Sequence, residues 1–525
     1  LRKAFVLFSF LVLGLHLLLA TVFPPVLWGL VLFGPIIILG YLDMLQKEKT
    51  VLRNFPVLGH FRYLFEMIRP EINQYFIESN QDGVPFSREL RSVVYQRAKK
   101  QLDTLPFGTQ RDIYKIGHEW VNHSLNPVSL HDKDFRVKVG GDECRKPYSA
   151  SILNISAMSY GSLSAHAIEA LNGGAKQGGF AHNTGEGGVS PYHIKPGGDL
   201  IWQIGTGYFG CRNEDGTFDP DAFKETAQLD EIKMIEVKLS QGAKPGHGGI
   251  LPAAKITPEI ARIRRVPIGR DVISPPGHSA FCGPLEMMGF ISKLRELSGG
   301  KPIGIKLCIG KREDFIGICK AMLESGSGPD YISIDGAEGG TGAAPLEFSN
   351  SIGFSLTDGL IFANNMLRGF GLRKKVRLMG AGKIITGFHL LSRIAIGADL
   401  CYSARGMMFS LGCIQALRCN SNACPVGVAT NDPELMGGLD IKSKARRVAS
   451  YHEETLKSFG EILASMGLKS SEELRPHHLL RRVSRDKIKS YAEIYGVTEE
   501  GAFLESEVSP EYRNLIENSS AERFA

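Results

Sequence analysis

The chain has 525 residues, a net charge of +6 and 43% hydrophobic residues, enough for one large domain with additions or several conventional ones. So modest a charge, with no dense basic tract interleaved with aromatics, excludes nucleic-acid binding as the organising function. Nine cysteines in this length exclude a small disulfide framework and point to metal ligands or redox groups in a reducing compartment.

Two apolar runs come first, FVLFSFLVLGLHLLLATVF from Phe5 and VLWGLVLFGPIIILGYL from Val26, with Pro24 and Pro25 between them. Each approaches the roughly 20 residues a helix needs to cross a bilayer. The second run and the missing cleavage pattern argue against a signal peptide. Arg2 and Lys3 precede the first run, and Lys47, Lys49 and Arg53 follow the second. Positive flanks at both ends predict a hairpin in the cytoplasmic membrane, with the rest of the chain facing the cytoplasm. Residues 1–45 are thus expected to be two transmembrane helices. Residues 46–145 are polar, with proline breaks, and read as a linker and packing region. It holds one helix near Ser87–Lys100 and no catalytic pattern.

From Ser151 short apolar runs end in Gly, Ser, Asn or Asp, and helical segments follow. The runs are SILNISAMS, FAHNTGEGG, MIEVKLSQGAKPG, DVISPPGHS, PIGIKLCIG, YISIDGAEGGTG, VRLMGAGKI and ADLCYSARG. Strands alternating with helices predict a parallel sheet, and eight such units in about 250 residues predict a closed (β/α)8 TIM barrel. A doubly wound open sheet is the alternative. The barrel is expected over 146–475, with residues 190–229 as an insertion longer than a simple loop. The chain from about Asp440 reads as charged and helical, packing outside the barrel, and 476–525 as a helical C-terminal extension.

Polar and glycine residues gather at the C-terminal ends of the runs, where a barrel builds its active site. GAGK at 380–383 and SARG at 403–406 fall after the last two strands, the usual place for a phosphate held by close backbone N–H groups. Lys383 and Arg405 would add charge there; ordinary glycine turns are the bland alternative. Lys306 ends the fifth run, where a cation could stabilise a reduced flavin or simply pair with a carboxylate. The loop DGAEGGTGAAP could wrap a ring or phosphate. NTGEGG and QGAKPGHGG bring Glu186, Lys244 and His247 to the rim, as a proton-handling set or a structural ion pair. Cys413, Cys419 and Cys424 are spaced C-x5-C-x4-C. Structural zinc wants four ligands, whereas three thiolates suit a cluster of three irons, and Pro425 gives the Cys-Pro ending of ferredoxin-type motifs. Buried free cysteines are the alternative.

These stretches resemble the flavin-binding synthase domain of the glutamate synthase family over roughly residues 145–475. The matching segments are AMSYGSLS (157–164), NTGEGG (183–188), QGAKPGHGG (241–249), ISPPGH (273–278), GGTGAAP (339–345) and CIQALRCNSNACPVGVATNDP (413–433). The resemblance implies a (β/α)8 barrel carrying FMN and a [3Fe-4S] cluster ligated by Cys413, Cys419 and Cys424. It implies that Ser156, Ala157, Met158 and Ser159 line the flavin. Asn183 and Gln203 would contact its ring, and Lys306 would sit at its pyrimidine edge. Gly339, Gly340, Gly382, Arg405 and Gly406 would hold its phosphate. Glu186, Lys244 and Arg264 would bind the oxo acid and handle the imine, two cations suiting a dicarboxylate. The chain departs from the family's AKPGEGGQ pattern at His247 and Ile250. With an apolar hairpin where the family carries a glutaminase domain, a stand-alone, membrane-tethered member is expected.

The implied activity is reductive amination of a 2-oxo acid, 2-oxoglutarate to glutamate, with free ammonia or an amine. Ferredoxin, a reductase or quinone would be the electron partner. The alternatives are a membrane-linked FMN dehydrogenase that oxidises an amino or hydroxy acid and passes electrons to quinone, and a redox subunit without turnover of its own.

Overall fold

The computed structural model describes residues 1–101, 104–130, 135–251, 253, 256–504, 508 and 510–525. The chain divides into two compact units, Leu1–Glu89 and Leu90–Ala525.

In the first unit, two helical stretches, Arg2–Ala20 and Pro24–Leu45, are 19 and 22 residues long and apolar enough to cross a membrane. They run antiparallel. Phe5 meets Tyr41 edge-on at 5.8 Å and His16 meets Phe33 at 5.6 Å. Leu7, Leu18 and Leu32 point outward, so the pair is apolar on its outer surface as well as at its seam. Beyond the second helix the chain turns polar, and the buried Asp43 carboxylate anchors the turn. It accepts from the Val57 N–H at 2.9 Å and lies 2.9 Å from the His60 ring.

In the second unit, eight parallel strands close into a barrel. They are β1 Leu153–Ile155, β2 His182–Asn183, β3 Leu200–Ile204, β4 Ile232–Lys238, β5 Ile303–Leu307, β6 Tyr331–Asp335, β7 Arg377–Ala381 and β8 Leu400–Ser403. β8 pairs back onto β1, with Tyr402 opposite Asn154. An antiparallel pair, Arg136–Val139 with Tyr148–Ser151, plugs the end at which the strands begin. Its Val139 and Ala150 join Ile201, Met234, Tyr331 and Leu400 in one buried cluster.

Alternation along each strand builds the interior in layers. Above the apolar layer lies a polar one of Asn183, Gln203, Glu236, Ser333 and Tyr402, and above that the open mouth. The helix ring includes Ala165–Gly178 after β1, Pro284–Leu297 after β4, Arg312–Ser325 after β5 and Ile441–Ser465 after β8. This last helix is the charged segment expected to pack outside the barrel. It is the ring's closing member and lies against Ala165–Gly178. A Cβ at Gly174 would stand 2.5 Å from that of Val448, so the two helices meet at van der Waals contact only because glycine is there.

Seven of the eight expected runs carry barrel strands, and the eighth strand comes from elsewhere. LIWQI, read as part of an insertion, is β3, buried at every position. DVISPPGHS supplies no barrel strand. Its Val272–Ile273 pairs antiparallel with Ile250–Leu251 in a two-stranded ribbon within the β4 connection, and Pro275 and Pro276 end it, since neither has an N–H to continue a ladder. The chain after the barrel is helical at Tyr491–Tyr495 and Pro510–Asn518, and also contributes strands Leu479–Arg482 and Ile488–Ser490 to a sheet with Glu119–Val121. Arg88–Ala98 forms the helix expected near Ser87–Lys100.

Candidate active site

Along β4, residues 234, 236 and 238 share the inward face, so one strand carries an apolar residue, a carboxylate and an ammonium at rising depths. Glu236 is fully buried. Its Oε1 accepts from Gln203 Nε2 at 2.7 Å and Asn183 Nδ2 at 2.8 Å. Its Oε2 accepts from the hydroxyls of Ser333 at 2.7 Å and Tyr402 at 3.2 Å. A buried carboxylate is tolerated when its lone pairs are filled in this way. The network fixes Asn183 and Gln203, the two residues assigned to the flavin ring by resemblance.

Lys306, inward on β5, and Asp335, at the end of β6, form a buried ion pair of 3.3 Å. Burial opposes the ammonium, but Asp335, with Glu236 and Glu186 beyond it, outweighs burial and holds the Lys306 pKa above the ordinary lysine value. The Gly242 N–H also donates to Asp335, at 3.0 Å.

Glu186, on the loop after β2, sits at the mouth. Burial opposes its ionisation, yet Lys238, Arg264 and Lys244 together hold its pKa below the ordinary glutamate value. Its direct partner is Lys238, at 3.0 Å, rather than Lys244 as the rim motifs suggested, because Lys238 stands one inward position above Glu236. Among the described residues Lys244 makes no ion pair, and burial depresses its pKa. Arg264 is buried, lies 5.3 Å over the Phe209 ring and donates to Tyr160 O at 3.0 Å. Its Nε has no partner among the described residues, and burial pushes its pKa down to about 10. Three cations thus surround one carboxylate, an imbalance in a poorly hydrated site that an anionic ligand would relieve.

After β1, Ser156 N–H donates to Ser403 O and Met158 N–H to Asn183 O, both at 3.1 Å. Ala157 and Ser159 are half-buried beside them. Gly185 has φ +66°, and a Cβ there would stand 2.8 Å from Ser159 N. The β1 and β2 loops meet only because that position is glycine.

Across the mouth, Gly340 faces Arg405, and a Cβ on it would lie 2.6 Å from the guanidinium. Arg405 donates to Thr341 O at 3.0 Å, and among the described residues no carboxylate pairs with it. Gly339 N–H bonds back to Gly336 O at 2.8 Å. Gly382 lies against Glu338, whose Oε2 accepts from Leu356 N–H at 2.9 Å. Gly406 has Tyr451 and Ser403 where a Cβ would be. His247 is not drawn into the cationic group. Its ring meets Phe348 at 5.1 Å and its Nδ1 lies 2.7 Å from Gly248 O.

The cysteine loop leaves the helix Arg405–Leu411. Gln415, Leu417 and Asn422 all have positive φ (58°, 56° and 61°), a concentration of left-handed, non-glycine backbone that marks a constrained functional loop. Cys424 is buried, and Cys413 and Cys419 are half-buried. Burial, with smaller contributions from Cys419 and Cys424, pushes the Cys413 thiol up to about 11, while a backbone hydrogen bond from Gln415 and the charge of Arg405 pull the other way. Cys419 and Cys424 thus both lie within electrostatic reach of Cys413. Among the described residues no group of three His, Cys, Asp or Glu side chains is arranged to hold a metal ion.

Residues 114–469 match the conserved region in glutamate synthase. The chain belongs to the glutamate synthase family. It is 37% identical over 492 residues to the glutamate synthase large subunit-like protein YerD of Bacillus subtilis, covering 85% of this chain and 93% of that one. It is 34% identical over 323 residues to the archaeal glutamate synthase [NADPH] of Methanocaldococcus jannaschii, covering 61% of this chain and 60% of the relative. The glutamate synthase [NADPH] large chain of Bacillus subtilis aligns at 33% over 330 residues, only 20% of its own length. Among solved structures, a flavocytochrome b2 mutant with pyruvate bound overlaps 80% of this chain and 85% of its own at a TM-score of 0.44 and 14% identity, too distant to carry an argument. Members of the glutamate synthase family are oxidoreductases acting on CH–NH2 donors, and this chain is a barrel oxidoreductase of that family.

Lys238 and Glu236 escaped the sequence reading. The available signal was two charges in the apolar run MIEVKLS, since a charge inside a fully buried strand needs a reason.

Proposed function

We propose that the chain reductively aminates 2-oxoglutarate, with FMN held at the barrel mouth. The observation that carries this reading is the excess of cations over carboxylate around Glu186. A dicarboxylate brings the two negative charges that Lys238, Lys244 and Arg264 leave uncompensated, and guanidinium–carboxylate pairing suits Arg264, whose Nε has no partner among the described residues.

The residues present fit FMN. Arg405 has no carboxylate counter-ion among the described residues and faces Gly340, an arrangement that would hold a phosphate. Asn183 and Gln203 are fixed by Glu236, and Lys306 offers positive charge at a buried position. The donor set of Cys413, Cys419 and Cys424 is right in kind and number for a [3Fe-4S] cluster, which would require the three thiols to converge beyond their placement here. When bound, FMN would supply a hydride and the cluster single electrons, drawn from a ferredoxin, a reductase or quinone.

The chain's own part is binding and proton handling. Lys244 and Arg264 would hold the two carboxylates of the oxo acid. Ammonia adds to the keto carbon and water leaves, giving a protonated imine that hydride converts to the amino acid. Glu186, kept ionised, would stabilise the cationic imine. Lys244, its pKa lowered, would give a proton to the departing oxygen. The apolar hairpin supports anchorage in the cytoplasmic membrane, with the barrel on the cytoplasmic side.

A rapid-mixing trace tests the proposal. The full chain, purified anaerobically in detergent and chemically reduced, is mixed with 2-oxoglutarate and ammonium. Fast flavin reoxidation that requires both reagents is expected. No reoxidation in a protein with bound FMN would reject this substrate pair.

A further inference from the structure

A cavity of about 540 Å³ lies at the ends of β4 and β5, against the helix Arg312–Ser325 and the residues just before the helix Pro284–Leu297. None of Glu186, Lys238, Lys244 and Arg264 lines it. Lys238 and Lys306 turn inward, and the next residues, Leu239 and Leu307, turn outward into this cavity. Its volume falls within the roughly 300–1,000 Å³ of small-molecule sites.

The walls are Phe281, Leu307, Ile309, Phe315 and Ile318, and Phe524 closes one side. The segment carrying Phe524 is fastened across both helices. Leu285 N–H donates to Ala521 O at 2.9 Å, and Lys320 Nζ to Ser519 O at 2.8 Å. Carbonyls of that segment occupy the places a Cβ would take on Gly283 and Gly317, so glycine at these positions lets it seat.

The polar groups of the cavity narrow the ligand. Lys311 Nζ donates to Ala525 O at 2.8 Å, and Asp314 Oδ1 accepts from Ala525 N–H at 2.6 Å. His278 has Nε2 on Lys238 O at 2.9 Å and Nδ1 on the Tyr208 hydroxyl at 3.0 Å. Lys311 and Asp314 lie side by side in the lining and offset each other's charge, so the cavity offers an anionic ligand no net positive charge. Ser240 differs. Its Oγ accepts from Cys308 N–H at 2.9 Å and keeps a proton to donate. The site therefore offers aromatic walls with the Ser240 hydroxyl as a hydrogen-bond donor among them.

We propose that this cavity binds a flat, neutral, mostly apolar ring bearing a carbonyl oxygen, the chemistry of a benzoquinone, with the carbonyl on the Ser240 hydroxyl and the ring against the phenylalanines. The inference concerns binding alone and does not rest on the proposed flavin reaction.

The test is a calorimetric titration of the full chain in detergent with duroquinone, against the same detergent without protein. One saturable site is expected. Ser240→Ala should weaken it on the order of tenfold, the worth of one hydrogen bond. Ile318→Trp, which fills the cavity, should abolish it while leaving the thermal transition cooperative. The hydrocarbon durene, with the same ring and no carbonyl oxygen, should bind about as weakly as duroquinone binds the Ser240→Ala protein. Absence of saturable binding to the unaltered protein would overturn the proposal. So would duroquinone affinity unchanged in Ser240→Ala, or durene binding as tightly as duroquinone.

Discussion

Two carboxylates in the barrel, Glu236 in the polar layer and Glu186 at the mouth, are held by opposite means. Glu236 receives four hydrogen bonds from neutral donors on four other strands. Glu186 has one ion pair with Lys238, and Lys244 and Arg264 lie nearby with charge to spare. The inner site is complete as it stands, which suits a device that orients Asn183 and Gln203. The outer site is short of negative charge, which suits one that waits for an anion. The lesson is that a charge in a barrel is assigned by what surrounds it, and an unbalanced set marks the ligand.

Breaking the inner site should cost the most. Glu236→Leu leaves four buried donors without an acceptor and should lower unfolding free energy by about 3–5 kcal/mol in urea titrations. Glu236→Gln should cost only about 1 kcal/mol, because the Ser333 and Tyr402 hydroxyls can turn to accept from the new amide. Breaking the outer site should show the reverse. Lys244→Ala should slow flavin reoxidation by 2-oxoglutarate and ammonium about 100-fold, the low end for loss of a proton-transfer group, with the melting temperature nearly unchanged. In the cysteine loop, Cys419→Ser should remove iron–sulfur absorbance while FMN stays bound.

A smaller effect separates stability from the mouth altogether. Burial pushes His452 down to about 3 from an ordinary 6.5. Between these values the unfolded chain binds a proton that the folded one does not, so stability falls as pH is lowered below 6.5. The slope from this residue is about 1.4 kcal/mol per pH unit, and His452→Asn should remove that share from a stability profile taken between pH 6.5 and 4.5.

Much of this was legible in the sequence where chemistry and strand period coincide. Lys306 in IGIKLC and the acid of YISID announce charged positions at strand ends, and the structure pairs them. Eight alternating units predict the barrel, yet one of them is not a barrel strand and one barrel strand lies outside them. LIWQI sits between glycines in a stretch otherwise read as loop, and a short, fully buried strand has no alternation to reveal it. DVISPPGHS imitates a strand, but its prolines leave room for only a two-residue ribbon. Arg264 was placed at the substrate by family resemblance alone. It reaches the mouth from the helix Pro258–Arg264, and no local spacing records a contact made by tertiary packing. The partner of Glu186 was missed for a related reason. Lys244 is near the glycine motif in sequence, but strand register, not motif proximity, carries Lys238 to the carboxylate.

The most direct test of the outer site is ligand discrimination in the oxidised full-chain protein. The dissociation constants of 2-oxoglutarate and pyruvate would be measured by calorimetry at two salt concentrations. A site with two unbalanced cations predicts that the dicarboxylate binds at least about 10-fold more tightly, the worth of a second charged hydrogen-bonded pair, and that added salt narrows the gap. Equal affinities for the two acids would contradict the assignment of Lys244 and Arg264 to a dicarboxylate.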